Sequence, residues 1–140
     1  MSTLSQEKIQ VRSLCDDDAG KMLACILSNK KRLRRYFPWP EENYSLETAR
    51  YFIQRVNEEE KRRQTLCLGI FSDEDFIGQL CLRDVDEKKC IASLSYWIDQ
   101  AYEGRGIVFR GLQKLCRRAY LEFSINYLCI YLAVVNQRSR

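Results

Sequence analysis

The chain has 140 residues, 46% of them hydrophobic and 30% charged, the composition of one ordinary globular domain with length enough for a sizeable core. There is no apolar run of roughly 18 residues, which excludes a helical membrane span, and no apolar N-terminal segment of the secretory kind, which predicts a cytoplasmic protein. The sequence contains no histidine, so the commonest metal ligand and the side chain that ordinarily titrates near neutrality are both missing.

Lys8 to Leu14 predicts a first strand, with Ile9 and Val11 two apart. Asp16, Asp17 and Asp18 then suit a helix start by capping and by charge–dipole attraction. Ala19, Met22, Leu23, Ile26 and Leu27 form the buried stripe of that helix, and Asn29 stops it. Lys30 to Arg35 carries five basic residues in six, a pattern that invites a nucleic-acid reading. The acidic clusters at Asp16–Asp18 and Glu58–Glu60 hold the net charge to +4, so a solvated face of a short helix is the simpler account.

Ser45 caps a helix with apolar positions Leu46, Ala49, Phe52, Ile53 and Val56, which runs out in a charged end at Glu58 to Arg63. Leu66 to Phe71 is apolar on both faces, as in a strand covered on both sides. Ser72 to Asp75 is a turn, Phe76 to Arg83 the hairpin partner, and Asp84 to Lys89 a second turn into a strand at Ile91 to Ile98. Beyond a later helix, Tyr127 to Val135 reads as a buried strand. The order predicts an α+β fold: a mixed, mostly antiparallel central sheet with helices on both faces, in a single domain over residues 1–140. Seven cysteines lie at 15, 25, 67, 81, 90, 116 and 129 without a Cys-x-x-Cys pair, which predicts reduced, mostly buried thiols and neither disulfides nor zinc.

The chemistry is expected where the fourth strand ends. Gly104 and Gly106 permit positive φ and close backbone approach, and from Ile107 the period becomes helical. Leu112, Leu115, Cys116, Ala119, Tyr120 and Phe123 fall on one face, with Arg110, Lys114, Arg117 and Arg118 largely off it. A strand, a glycine turn and a helix N-terminus make an anion site, because free N–H groups and the positive dipole end point over the turn. No Gly-Lys-Ser/Thr follows, so it is not a Walker loop. A third glycine and a following acidic residue are lacking, so it is not a dinucleotide fingerprint.

The segment resembles the acetyl-CoA site of the GNAT acetyltransferases, and within them the RimJ/RimL-like branch, whose pattern is Tyr-Trp-Ile, a spacer, and Tyr-Gln-Gly-Lys-Gly-Ile-Ala. This chain has Tyr96-Trp97-Ile98, then Tyr102-Glu103-Gly104-Arg105-Gly106-Ile107-Val108. The signature Gln/Arg-x-x-Gly-x-Gly/Ala lands on Glu103, Gly106 and Val108, and only the glycine matches strictly. Glu103 sets a carboxylate beside the expected pyrophosphate, and Val108 puts bulk where the family keeps a small residue.

The resemblance implies the GNAT fold, acetyl-CoA as co-substrate without a metal, and direct attack by a primary amine in a ternary complex. It implies that Tyr96, Trp97 and Ile98 bond the pantetheine arm through their backbone. The amides of Glu103, Gly104, Arg105, Gly106, Ile107, Val108 and Phe109 hold the pyrophosphate, and Asn136 touches CoA. Tyr36 and Trp39, in a segment similar to the family's acceptor wall, line the acceptor pocket, and Ser95 orients a water there. No catalytic base is assigned, and Cys90 and Cys116 are expected in the core. Asn136 and Ser139 match an Asn-x-x-Ser pair that the family follows with further strands, so a domain incomplete at its C-terminus is expected, its edge strand at Tyr127 to Val135 covered by a second copy or a partner. Two other readings stay open at this point: a CoA-binding remnant without turnover, and a basic RNA or ribosome-binding module.

Overall fold

The computed structural model describes residues 8–130, and among them five strands form one sheet in the order β1-β2-β3-β4-β5. The strands are β1 (Ile9–Ser13), β2 (Leu66–Ser72), β3 (Asp75–Asp86), β4 (Ile91–Ile98) and β5 (Tyr127–Ile130). The first three pairings are antiparallel and β4–β5 is parallel, which is the mixed, mostly antiparallel α+β arrangement expected. Parallel pairing needs a crossover, and α4 (Ile107–Phe123) supplies it. Helices α1 (Ala19–Ser28), α2 (Lys30–Tyr36) and α3 (Leu46–Lys61) lie between β1 and β2 in the chain. The strand expected to reach Val135 is seen as far as Ile130, and the rest of it lies outside the described residues.

Two cores follow from the alternation of the strands. Leu80, Leu82, Leu94 and Ile98 pack with Leu115, Ala119 and Phe123 of α4 on one face, and Phe71, Phe76 and Trp97 pack with Met22, Ile26 and Ile53 of α1 and α3 on the other. Every residue of β2 is buried, as its unbroken apolar run requires. Gly78 sits where no side chain fits: a Cβ would come 2.5 Å from the Trp97 carbonyl oxygen across the β3–β4 ladder.

Several expectations are corrected. The buried row of α4 is Ile107, Gly111, Leu115, Ala119 and Phe123, while Cys116 and Tyr120 are exposed. Gly111 sets the rotation. It looks like a weak point in a helix, but a Cβ there would meet Leu80 Cδ1 at 2.7 Å, so its smallness lets α4 settle on the sheet. Leu27 of α1 is likewise exposed, its place in the stripe taken by Cys25. Asp84 to Asp86 belong to β3, whose register shifts between Arg83 and Asp86, so the second turn begins later than its acidic residues suggest.

The expectation of reduced, buried thiols also fails at several positions. Cys67 and Cys81 are directly opposed on β2 and β3, with Cα atoms 4.2 Å apart, and form a disulfide. The spacing of 14 residues gives no hint of this; the hairpin register does. Of the free cysteines among the described residues only Cys25 is buried; Cys15 and Cys116 are exposed and Cys90 is half-buried.

Asp16 to Asp18 do open a helix, as a short 3-10 turn ahead of α1. Asp18 reaches back as well: its carboxylate pairs with Arg12 at 2.9 Å and accepts the Cys15 amide at 2.8 Å. Burial alone would raise its pKa. The bonds from Arg12 and the Cys15 amide outweigh burial and hold the carboxyl below its usual range.

Candidate active site

β4 presents different groups to its two sides. Ser95 and Trp97 face α1 and α3, whereas Tyr96 and Ile98 face the α4 side, and each side carries a cavity.

The cavity on the α4 side has a volume of about 200 Å³ and is lined by Tyr96, Ile98, Tyr102, Glu103, Gly104 and Gly106 to Phe109. The turn that makes it begins at Asp99, whose carboxylate accepts the Ala101 amide at 3.0 Å and starts a 3-10 turn over Gln100–Tyr102. Gly104 (φ 78°) and Gly106 (φ 72°) then supply the left-handed conformations that bring the chain into α4. No side chain caps α4, so its first amides remain available to a ligand above the turn. Arg105 lies over the Tyr102 ring at 5.0 Å.

The turn is held from behind by a residue of the basic run. Arg32 of α2 pairs with Glu103 at 3.2 Å and donates to the Ile98 carbonyl and to Asn29 Oδ1. Asn29, buried at the end of α1, also accepts the Gln100 amide at 3.2 Å. The helix stop read from the sequence therefore doubles as a brace for the turn. Glu103 brings no bare carboxylate to the anion site, because a guanidinium already faces it. Within the rest of the basic run, Lys30 and Arg34 pair with Glu42, which leaves little of it to form a nucleic-acid surface.

The cavity on the other side is larger, about 420 Å³, with Met22, Trp39, Tyr44, Phe52, Arg55, Gln79, Arg83 and Ser95 among its walls. Trp39 stacks on Phe37 and meets Trp97 edge-on with ring centroids 6.0 Å apart. Burial pushes the Tyr44 hydroxyl up to about 12, which leaves it a hydrogen-bond donor at neutral pH. Cys25 is likewise pushed up to about 12 by burial, with the Asp99 carboxylate adding to it, so it stays a thiol.

The residues expected to bind an acceptor are not all brought together. Trp39 and Ser95 line the larger cavity. Tyr36 lines a separate small hollow of about 30 Å³, with Arg32, Phe37, Tyr96 and Glu103, that adjoins the α4-side cavity. The residues expected to bind the cofactor are contiguous at the turn, except that the Trp97 side chain is buried on the opposite face, so only its backbone is offered there. Asn136 lies outside the described residues. Sequence reading missed Arg55, Arg83 and Gln79. The last left a trace, a lone amide inside the apolar run from Phe76 to Leu82.

A twisted mixed sheet with a glycine turn between its fourth strand and a crossover helix defines an acyl-CoA-dependent transferase fold. A family model described as an acetyltransferase (GNAT) domain matches residues 8–140, and the chain belongs to that family. It is 31% identical over 139 residues, 96% of this chain and 74% of the relative, to "Putative ribosomal N-acetyltransferase YdaF" of Bacillus subtilis (strain 168). It is 24% identical over 109 residues to the ribosomal-protein-serine acetyltransferase of Escherichia coli (strain K12), covering 78% of this chain and 61% of that one. Among solved structures, RimL, a ribosomal L7/L12 alpha-N-protein acetyltransferase in complex with coenzyme A, superposes with a TM-score of 0.86 at 24% identity, over 94% of this chain and 74% of that chain. These relatives place the chain on the RimJ/RimL-like branch.

Proposed function

We propose that the chain transfers an acetyl group from acetyl-CoA to a primary amine, by direct attack within a ternary complex in the cytoplasm, and that residues 1–140 supply one GNAT-type domain. The observation that carries the reading is the uncapped start of α4 over the Gly104–Gly106 turn, at the foot of β4. The amides of Glu103 to Phe109 take the pyrophosphate there, and the backbone of Tyr96 to Ile98 takes the pantetheine arm. Asn136 is proposed as a further CoA contact.

The acceptor enters from the Trp39 and Ser95 side, so that its nitrogen and the thioester meet beside β4. Tyr36 is proposed as a further acceptor contact, from a small hollow that shares Tyr96, Ile98 and Glu103 with the cofactor cavity. The amine attacks the thioester carbonyl as the neutral base, the C–S bond breaks, and CoA leaves as the thiol. A water held near Ser95 takes the proton from the attacking nitrogen, and that proton passes through it to the departing sulfur, so that the amide and the CoA thiol are the products. Cys25 stays protonated and Cys116 is exposed on α4, so neither supports an acetyl-enzyme.

Calorimetric titration of acetyl-CoA, followed by detection of free thiol in the presence of an amine panel, tests the reading. Micromolar binding with amine-dependent thiol release is expected. Binding without release from any amine would leave a CoA-binding protein, and absence of binding to the folded chain would reject the site.

A further inference from the structure

We infer that the larger cavity selects an acceptor amine that also carries an anionic group, a carboxylate or a phosphate, several bonds from the nitrogen. This rests on the acetyl-transfer reading above and gives its acceptor a chemical class.

Two guanidinium groups share one aromatic wall of the cavity. Arg55 Cζ lies 5.9 Å and Arg83 Cζ 6.0 Å from the centre of the Phe52 ring. Among the described residues no carboxylate is paired with either: the salt bridges of the chain are made by other cations. Arg83 Nε is buried and has no hydrogen-bond partner. Burial and, after it, the like charge of Arg55 hold Arg83 below the ordinary guanidinium value; Glu59 and Asp84 act against this from a distance. Glu59 already accepts a bond from Thr65 at 2.8 Å. Two cations that share the Phe52 ring, one of them desolvated, form an arrangement that an anion completes; Glu41 also lines the cavity but makes no salt bridge to either.

The other end of the cavity has the opposite character. Gln79 lines the cavity and is buried, and its Oε1 has no hydrogen-bond partner. Gln79 is paired with Trp97 and Arg83 with Ser93, so the amide lies at the end of β4 nearer the turn and the arginines lie toward its start. Arg83 lies four steps along the strand from Gln79, about 13 Å of backbone before the side chains shorten it. An amine lodged at Gln79 and Ser95 therefore sits near the thioester, and its anionic tail reaches Arg55 and Arg83. A volume of about 420 Å³ suits a small ligand of that length.

The test uses matched pairs on the full chain loaded with CoA: 6-aminohexanoate against its amide for the carboxylate, and 5-aminopentyl phosphate against 5-aminopentanol for the phosphate. Both tryptophans of the chain are at or against this cavity, so intrinsic fluorescence reports binding without turnover, and thiol release from acetyl-CoA reports KM. At least one anionic member is expected to bind about tenfold or more tightly than its neutral twin, with a matching fall in KM and a steep loss in high salt. The member that gains more names the anion. Arg83→Gln and, as a milder change on the exposed face of α3, Arg55→Gln should each narrow the gap between twins. Equal binding of twins, failure of both anionic probes to bind, or a gap that survives both substitutions overturns the inference. Thiol release from neutral amines alone would overturn it and leave acetyl transfer standing. Arginine-dependent binding of the anionic amine by a chain that does not bind acetyl-CoA would do the reverse.

Discussion

The cavity beside α4 and the cavity beside α3 are built in opposite ways from the same strand. The first is made by one contiguous stretch, Tyr96 to Phe109, and in the proposed function it is the backbone of that stretch that binds. The second is assembled from α1, the loop after α2, α3, β3 and β4, and its chemistry resides in side chains. A site made of backbone on one segment tolerates much change in sequence, so long as the two left-handed turns survive. A side-chain site drawn from five elements can be altered at any one of them.

The sharpest way to break the comparison is Gly106→Asp. A Cβ at Gly106 meets nothing within 4 Å, so the residue is needed for its φ of 72° and not for want of space. Strain of roughly 1 kcal/mol is expected from the left-handed conformation, little enough to keep the fold. The added carboxylate stands over the free amides of α4 and should weaken acetyl-CoA binding about 100-fold, equivalent to roughly 2.7 kcal/mol. Calorimetry of the variant beside its melting curve checks both numbers. A loss of binding matched by unfolding would mean the turn is structural only.

Asp18→Ala tests the other side. Asp18 ties α1 to β1 through Arg12, whose guanidinium also lies 3.9 Å from the centre of the Phe71 ring, beneath the Met22 wall of the larger cavity. Asp18 is buried but its partner Arg12 is about one-third exposed, so removing the doubly hydrogen-bonded carboxylate should cost about 1 kcal/mol of stability. Because the folded carboxyl titrates below its usual range, the contribution is complete above the unfolded carboxylate range. It is lost as pH falls through the folded value. Urea midpoints for parent and variant should therefore converge in acid and stand apart at neutral pH; a constant gap across that range would exclude the ion pair as the cause.

What was legible in the sequence follows the same division. The strand, turn and helix at Tyr96 to Phe109 were readable because glycine spacing and a change of period are local signals. The hairpin from Leu66 to Arg83 was readable for the same reason. The seat of α4 was misread because Gly111 contributes by having no side chain, which no apolar count registers. Asp18 was readable as a helix opener, but its partner Arg12 is set by the turn between β1 and α1. Arg55 lies outside the apolar positions of its helix and draws no reading, and Arg83 reads only as the end of the hairpin's second strand. Their meeting over Phe52 depends on how α3 lies across the sheet, a tertiary fact with no trace in spacing.

Arg32 joins the two regions, and it carries the smallest expected effect. By its local sequence Glu103 is a poor neighbour for a pyrophosphate, yet Arg32 faces it at 3.2 Å, and both side chains are about one-fifth exposed. If the guanidinium already offsets the carboxylate, Glu103→Gln alone should raise acetyl-CoA affinity by only about threefold, while Arg32→Ala alone lowers it about fivefold by leaving the carboxylate uncompensated. The double variant should return to within about twofold of the parent, the sum of two offsetting effects, and a thermodynamic cycle should show them to be additive. A rise well above tenfold in Glu103→Gln would mean that the carboxylate acts on the phosphate site unscreened. In that case Arg32 braces the turn through the Ile98 carbonyl and Asn29 alone, and the departure from the family pattern at Glu103 is a true weakening of the cofactor site.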